Sequence, residues 1–189
     1  MARAGFEADK SDLFLYEMAT GKFINLTEKN DIRLQAYEWL PDSRGLLLLI
    51  EERGRLTLKI LNIKSGQIKT LVKEGYNSAV TLAPDGRSCA FLQSRTTSPD
   101  ELFVYSFTDN KIRQITDFNS PLRSQIEMND VEDFEFKSSD GTMVHGFLIT
   151  PPFFDAREKY PAVFLVHGGP QSAWEDNWHY RWKPQLWSC

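Results

Sequence analysis

The chain has 189 residues, 41% of them hydrophobic and 25% charged, with a formal net charge of −4; that is room for one domain or two small ones of ordinary globular composition. No basic block is present, so the electrostatic footprint of nucleic-acid binding is missing, and the longest apolar run before residue 160, Leu46 to Ile50, is far short of a membrane span. The opening Met1-Ala-Arg-Ala-Gly5 leads into charge rather than into the apolar core of a signal peptide. Two cysteines, Cys89 and Cys189, make neither a disulfide framework nor a metal-ligand spacing, and no metal or cofactor is expected.

A repeat occupies the first part of the chain. The segments 12–27, 56–71 and 101–116 each alternate apolar and polar residues on two short runs. The runs are joined by turns that tolerate positive φ, at Thr20-Gly21, Ser65-Gly66 and Asp109-Asn110, so each segment is predicted to be a β-hairpin. Between the hairpins a second element recurs, Trp39-Leu-Pro-Asp-Ser-Arg-Gly45 and Leu82-Ala-Pro-Asp-Gly-Arg-Ser88, each followed by an apolar strand. Its chemistry is that of a turn: Pro sets φ at the first corner, Asp bonds its own backbone, and Gly86 takes the corner that disfavours a Cβ. Four short antiparallel strands recurring at roughly 44 residues predict β-propeller blades. Residues 12–27 read as the back half of one blade and 28–72 and 73–116 as two more, about two and a half blades where closed propellers use about four to eight. The arc is therefore expected to be a piece of a longer protein.

Residues 117–130 are rich in polar and turn-forming types and read as a crossing segment. Beyond them, Val131 to Lys137 and Thr142 to Thr150 alternate around Ser138-Ser-Asp-Gly141, which predicts a further antiparallel hairpin. His145 on this hairpin is expected to be an ordinary exposed strand residue. Asp130, Glu132, Asp133 and Glu135 are expected to form a solvated strand edge rather than a cation site. Glu51-Glu52 reads as a loop charge pair rather than a trap for a substrate amine.

The run Val163-Phe-Leu-Val166 does not alternate and is bounded by Pro161 and by Gly168-Gly169, which predicts a short strand buried on both faces of a parallel sheet. A strand ending in His167-Gly-Gly-Pro170 can aim backbone N–H groups at an oxygen gaining negative charge, the chemistry of an oxyanion hole. Downstream, Trp174, Trp178, Trp182 and Leu186 fall at intervals of four. They predict one apolar, core-facing stripe on a helix over 177–188, weakened by Pro184, with His179 packed on it.

A Pro-Asp-Gly propeller, a Ser-Ser-Asp-Gly-Thr hairpin, the stretch Lys159-Tyr-Pro-Ala-Val-Phe-Leu-Val-His-Gly-Gly-Pro-Gln171 and then Tyr180-Arg-Trp-Lys-Pro-Gln-Leu186 together resemble the prolyl oligopeptidase family of serine peptidases, in its acylaminoacyl-peptidase and dipeptidyl-peptidase branch. The resemblance covers nearly the whole chain, and its specific part is 134–187. It implies a partial β-propeller over residues 1–118 and the start of an α/β-hydrolase domain over 119–189, incomplete as it stands. The propeller would limit entry to short peptides, cleaved by a Ser, Asp, His triad without a cofactor and without nucleic-acid or membrane partners. It also implies that the amide of Gly169 helps form the oxyanion hole, with Gly168 shaping the turn and His167 and Pro170 in support, His167 not being the catalytic histidine.

One departure stands out: no GxSxG elbow occurs, and Ser172 lacks flanking glycines, so the triad is expected beyond Cys189 and the isolated chain is expected to be inactive. Two other readings are a non-catalytic propeller module of the Tol-system type, which gives 131–188 no use, and an esterase or lipase, which shares the His-Gly-Gly loop but usually has no propeller ahead of it.

Overall fold

The structure, a computed structural model, describes residue 3 and residues 5–6, 8–169 and 171–188. Strands β1 (Phe14–Glu17) and β2 (Lys22–Asn25) form an antiparallel pair. A four-stranded antiparallel blade follows, β3 (Arg33–Trp39), β4 (Gly45–Glu52), β5 (Arg55–Asn62) and β6 (Ile68–Val72). A second blade repeats it with β7 (Tyr76–Leu82), β8 (Ser88–Arg95), β9 (Ser98–Ser106) and β10 (Lys111–Gln114). The blades are joined edge to edge by a parallel pairing, Leu56 of β5 beside Tyr76 of β7. A short helix α1 (Ser120–Arg123) precedes a separate hairpin of β11 (Glu132–Lys137) and β12 (Met143–Leu148). The two and a half antiparallel blades and the later hairpin are thus as the residue patterns predict.

Local chemistry explains the repeat. Asp42 Oδ1 accepts the Arg44 N–H and Asp85 Oδ1 the Arg87 N–H, both at 2.9 Å, closing the two Pro-Asp turns. The outer hairpins are clasped at their ends by a hydroxyl. Thr27 Oγ1 accepts the Leu13 N–H at 2.9 Å and donates to Asp12 at 3.0 Å, and Thr116 Oγ1 accepts the Leu102 N–H at 2.8 Å and donates to Glu101 at 2.5 Å. The middle hairpin has Leu56 and Leu71 at these places and is held instead by the core.

That core has two halves, one on each side of β4. Leu46, Leu48 and Ile50 pack with Leu13 and Leu61 on the side of the β1–β2 pair. Leu47 and Leu49 point the other way, into a cluster with Leu56, Leu58, Val72, Cys89, Phe91 and Tyr105. A run of five apolar residues suits a strand covered on both faces, here by a neighbour on each side. Cys89 is fully enclosed, and burial pushes its thiol up to about 11.

Two sequence expectations are corrected. Residues 161–167 form no strand, and Val163, Phe164 and Val166 are 59%, 87% and 70% exposed; a parallel strand draws its hydrogen bonds from neighbours, and among the described residues none lies beside this run. The helix over 177–188 reduces to one 3₁₀ turn, Pro184–Trp187, started by Pro in its first turn. The stripe dissolves with it, leaving Trp182 and Leu186 exposed.

The turns give a test. Gly86 (φ 66°) and Ser43 (φ 59°) occupy the same left-handed corner in the two repeats. Replacing Gly86 by Ala is expected to cost about 1 kcal/mol, and replacing Ser43 by Gly to stabilise by a smaller amount; opposite shifts of the denaturant midpoint check this.

Candidate functional site

The loop after residue 165 and the segment after it face each other across an open cleft of about 500 Å³, with Val166, His167 and Gly168 on one side and Trp174, Glu175, Asn177, His179 and Trp182 on the other. His167 is exposed and its Nδ1 donates to the Gly168 carbonyl at 3.0 Å. Gly169 holds φ at +144°, where a side chain is strained; a Cβ there would stand 2.8 Å from the Gln171 nitrogen. Around Gly168, by contrast, a Cβ would meet nothing within 4 Å. Pro170 and Cys189 lie outside the described residues. His179 neither packs in a core nor stands free: its Nδ1 accepts the N–H groups of Arg181 and Trp182 at 3.0 and 2.9 Å, which leaves its proton on Nε2.

Three of the four acidic residues expected to be solvated, Asp130, Asp133 and Glu135, make contacts to the blades at the β11–β12 hairpin, while Glu132 is exposed. Arg55, at the start of β5 and nearly buried, binds Asp133 with two parallel bonds of 2.8 and 2.9 Å. Those bonds hold the Asp133 carboxyl down at about 2, against the opposing effect of burial, and His145 Nε2 adds a contact at 2.7 Å. His145 is therefore no ordinary exposed residue; it stands edge-on to Phe147, whose ring also lies 5.1 Å below the Arg55 guanidinium. Arg53 pairs with Glu135 at 2.6 Å, and Thr97 donates to Asp130 at 2.7 Å. Nothing in the sequence pattern marks Arg55 or its partners, because they are joined across 78 residues. Glu51 and Glu52 are strand residues rather than a loop pair: Glu51 accepts from Gln35 at 2.7 Å and lies 3.4 Å from Arg33, and Glu52 pairs with Lys59 at 2.6 Å. Among the described residues no group of three His, Cys, Asp or Glu is placed to hold a metal ion.

Inside the cleft the perturbed group is Glu175. Burial, reinforced by the charge of Glu51 and only partly offset by Arg33, pushes its carboxyl up to about 7. The folded chain then keeps a proton between about pH 4.5 and 7 that the unfolded chain has lost, so stability falls as pH rises through that window and the deficit is complete above it. Glu175→Gln is expected to raise the melting temperature by a few degrees at pH 8 and to leave it unchanged near pH 4.5; melting curves at the two pH values check this.

Comparison with known proteins follows the same outline. No protein-family model matches the chain. It is 27% identical over 188 residues to dipeptidyl-peptidase 5 of Porphyromonas gingivalis, covering 98% of this chain and 27% of that protein. It is 30% identical over 191 residues to dipeptidyl-peptidase 5 of Aspergillus fumigatus, covering 97% of this chain and 26% of that one. Among solved structures, the acylaminoacyl peptidase of Pyrococcus horikoshii superposes on 92% of the chain with a TM-score of 0.73 at 20% identity, over 26% of its own length. Dipeptidyl peptidase 4 of Porphyromonas gingivalis does so on 93% with a TM-score of 0.67 at 19% identity, over 26% of its length. The chain spans about a quarter of the length of the relatives it matches. With blades, hairpin and His-Gly-Gly loop in this order, the chain is similar over nearly its whole length to dipeptidyl and acylaminoacyl peptidases, the branch of the prolyl oligopeptidase family that its motifs resemble.

Proposed function

We propose that this chain is part of a serine-type peptidase that hydrolyses short peptides, with residues 1–118 contributing to its propeller and 119–189 opening its catalytic domain. The observation that carries the reading is identity of 27% and 30% over nearly the whole chain with two proteins named dipeptidyl-peptidase 5. In this reading the serine attacks a peptide carbonyl, the carbonyl oxygen takes the negative charge, and the Gly169 N–H donates to it. Support comes from the backbone: φ at +144° and the tight approach of Gln171 make position 169 one for glycine. Gly168 shapes the turn, while His167 supports the loop. His167 is spent on the Gly168 carbonyl through Nδ1, which suits a supporting role better than proton transfer. Neither a binding module nor an esterase accounts as well for blades joined by ion pairs to the hairpin that leads into this loop.

The sequence carries no GxSxG, so the 189-residue chain alone is expected to show no turnover of a chromogenic dipeptidyl substrate above background. Extending the reading frame is expected to reach a GxSxG elbow within roughly 70–100 residues, followed by Asp and His. In the full-length protein Gly169→Ala should lower kcat by about a hundredfold, the scale of a lost oxyanion donor. Gly168→Ala, with open space around the new methyl, should change it little. Undiminished kcat in Gly169→Ala would remove the oxyanion role, and the absence of any elbow in the extended frame would remove the peptidase reading itself.

A further inference from the structure

The segment that forms the far wall of the cleft has almost no regular structure of its own, yet it is anchored at one buried residue. Asp176 is 3% exposed. Its Oδ1 accepts both the N–H and the hydroxyl of Thr96, at 2.9 and 3.1 Å, and its own N–H donates to the Gly54 carbonyl at 2.7 Å. Gly54 lies in the turn between β4 and β5, Thr96 in the turn between β8 and β9: the same turn in two consecutive blades. Thr96 is engaged from the other side as well, since its carbonyl accepts from Lys183 Nζ at 2.9 Å while that ammonium sits over the Trp178 ring. Gly54 has no room to move away, because a Cβ there would stand 2.5 Å from the Phe147 ring and 2.8 Å from the Trp174 carbonyl.

The neighbours of Asp176 on either side, Glu175 and Asn177, both line the cleft opposite Gly168. A buried residue whose carboxylate holds the Thr96 turn and whose backbone N–H holds the Gly54 turn therefore also sets where the cleft wall stands relative to the Gly168-Gly169 loop. We propose that Asp176 is a positioning residue of the cleft, holding the wall opposite the oxyanion loop at a place dictated by two neighbouring propeller blades through Gly54 and Thr96. It rests on the reading of the Gly169 loop as an oxyanion hole. Its chemistry is that of an acceptor rather than of a charge: what Thr96 needs is an oxygen at the Oδ1 position, which Asn also supplies. Loss of that acceptor strands a buried N–H and a buried hydroxyl and lets residues 172–178 drift, and a displacement of about 1 Å near reacting atoms is worth up to about a hundredfold in rate.

The test compares Asp176→Ala, Asp176→Asn and Thr96→Val in the full-length protein, measuring kcat and KM for a chromogenic dipeptidyl substrate, and follows amide exchange over 167–178 in the 189-residue chain. The expected result is a kcat lowered about tenfold or more in Asp176→Ala with KM little changed, recovery to within about twofold in Asp176→Asn, and an intermediate value in Thr96→Val. Exchange over 172–178 should quicken in the Ala variant and stay slow in the Asn variant. If Asp176→Ala fails to fold, the Asn and Val variants carry the same comparison. Wild-type kcat in Asp176→Ala, or an Asn variant as impaired as Ala, overturns the inference while leaving the peptidase reading intact. A full-length protein with no hydrolytic activity overturns the peptidase reading, and the exchange rates alone then decide whether Asp176 anchors the wall: equal exchange in wild type and Ala overturns it.

Discussion

The burial of β4 on both faces is the constraint on which the other parts of the structure depend. Five consecutive residues, Leu46 to Ile50, divide alternately between two clusters, so this one strand joins the β1–β2 pair to the first full blade and that blade to the next. At about 1.5–3 kcal/mol for each large apolar side chain removed from water, the strand alone carries on the order of 10 kcal/mol of favourable burial before chain entropy is counted. Partly exposed ion pairs such as Arg53–Glu135 contribute about 1 kcal/mol or less each. The stacking of the blades therefore sets the geometry, and the charged contacts choose what docks on it.

What docks is the later part of the chain, from the crossing segment onward, and it does so on a narrow platform. Arg53, Gly54 and Arg55 in one blade and Thr96 and Thr97 in the next receive the hairpin, the cleft wall and the crossing segment. Arg55 illustrates why this platform is specific. Its guanidinium is nearly buried, with a bidentate carboxylate at one end and an aromatic ring below, so a segment without a carboxylate at this place would leave a desolvated cation with only the half-exposed Glu74, 3.6 Å away, as counter-charge. Where the crossing segment meets β9, Glu101 is buried too. Burial alone would raise its carboxyl, but the bonds from Thr116 and Asn119 outweigh that effect and the net shift is downward.

The blades were legible in the residues because what builds them is local: alternation, a turn residue with positive φ, an Asp two positions from the N–H it accepts. The hairpin at Glu132–Leu148 was legible for the same reason. The run at 163–166 has the right composition for a buried strand, but a strand's identity lies in its neighbours, and composition cannot supply them. The spacing of Trp174, Trp178 and Trp182 mimicked a helix while two of the rings answered to different contacts, Trp178 to the Lys183 ammonium and Trp182 to the Arg181 guanidinium. At the cleft, His167, Gly168 and Gly169 announced themselves through glycine chemistry. Asp176 did not, because both of its partners belong to turns of the repeat and nothing periodic connects them to it. Ser43 shows the limit from the other side: the repeat asks for glycine at that corner, and the chain holds the left-handed conformation without it.

Gly54 carries a consequence for the order of folding. The strands it joins are adjacent in sequence, so β4 and β5 can pair early, when closing a short loop costs little chain entropy. Phe147 and the Trp174 carbonyl close on Gly54 only from far along the chain. A side chain at this position would thus leave the early pairing of β4 with β5 largely untouched, apart from the strain of φ +69°, and obstruct the late approach of the hairpin and the cleft wall. The propeller arc would still form, and would present a platform on which the second half of the chain could not land.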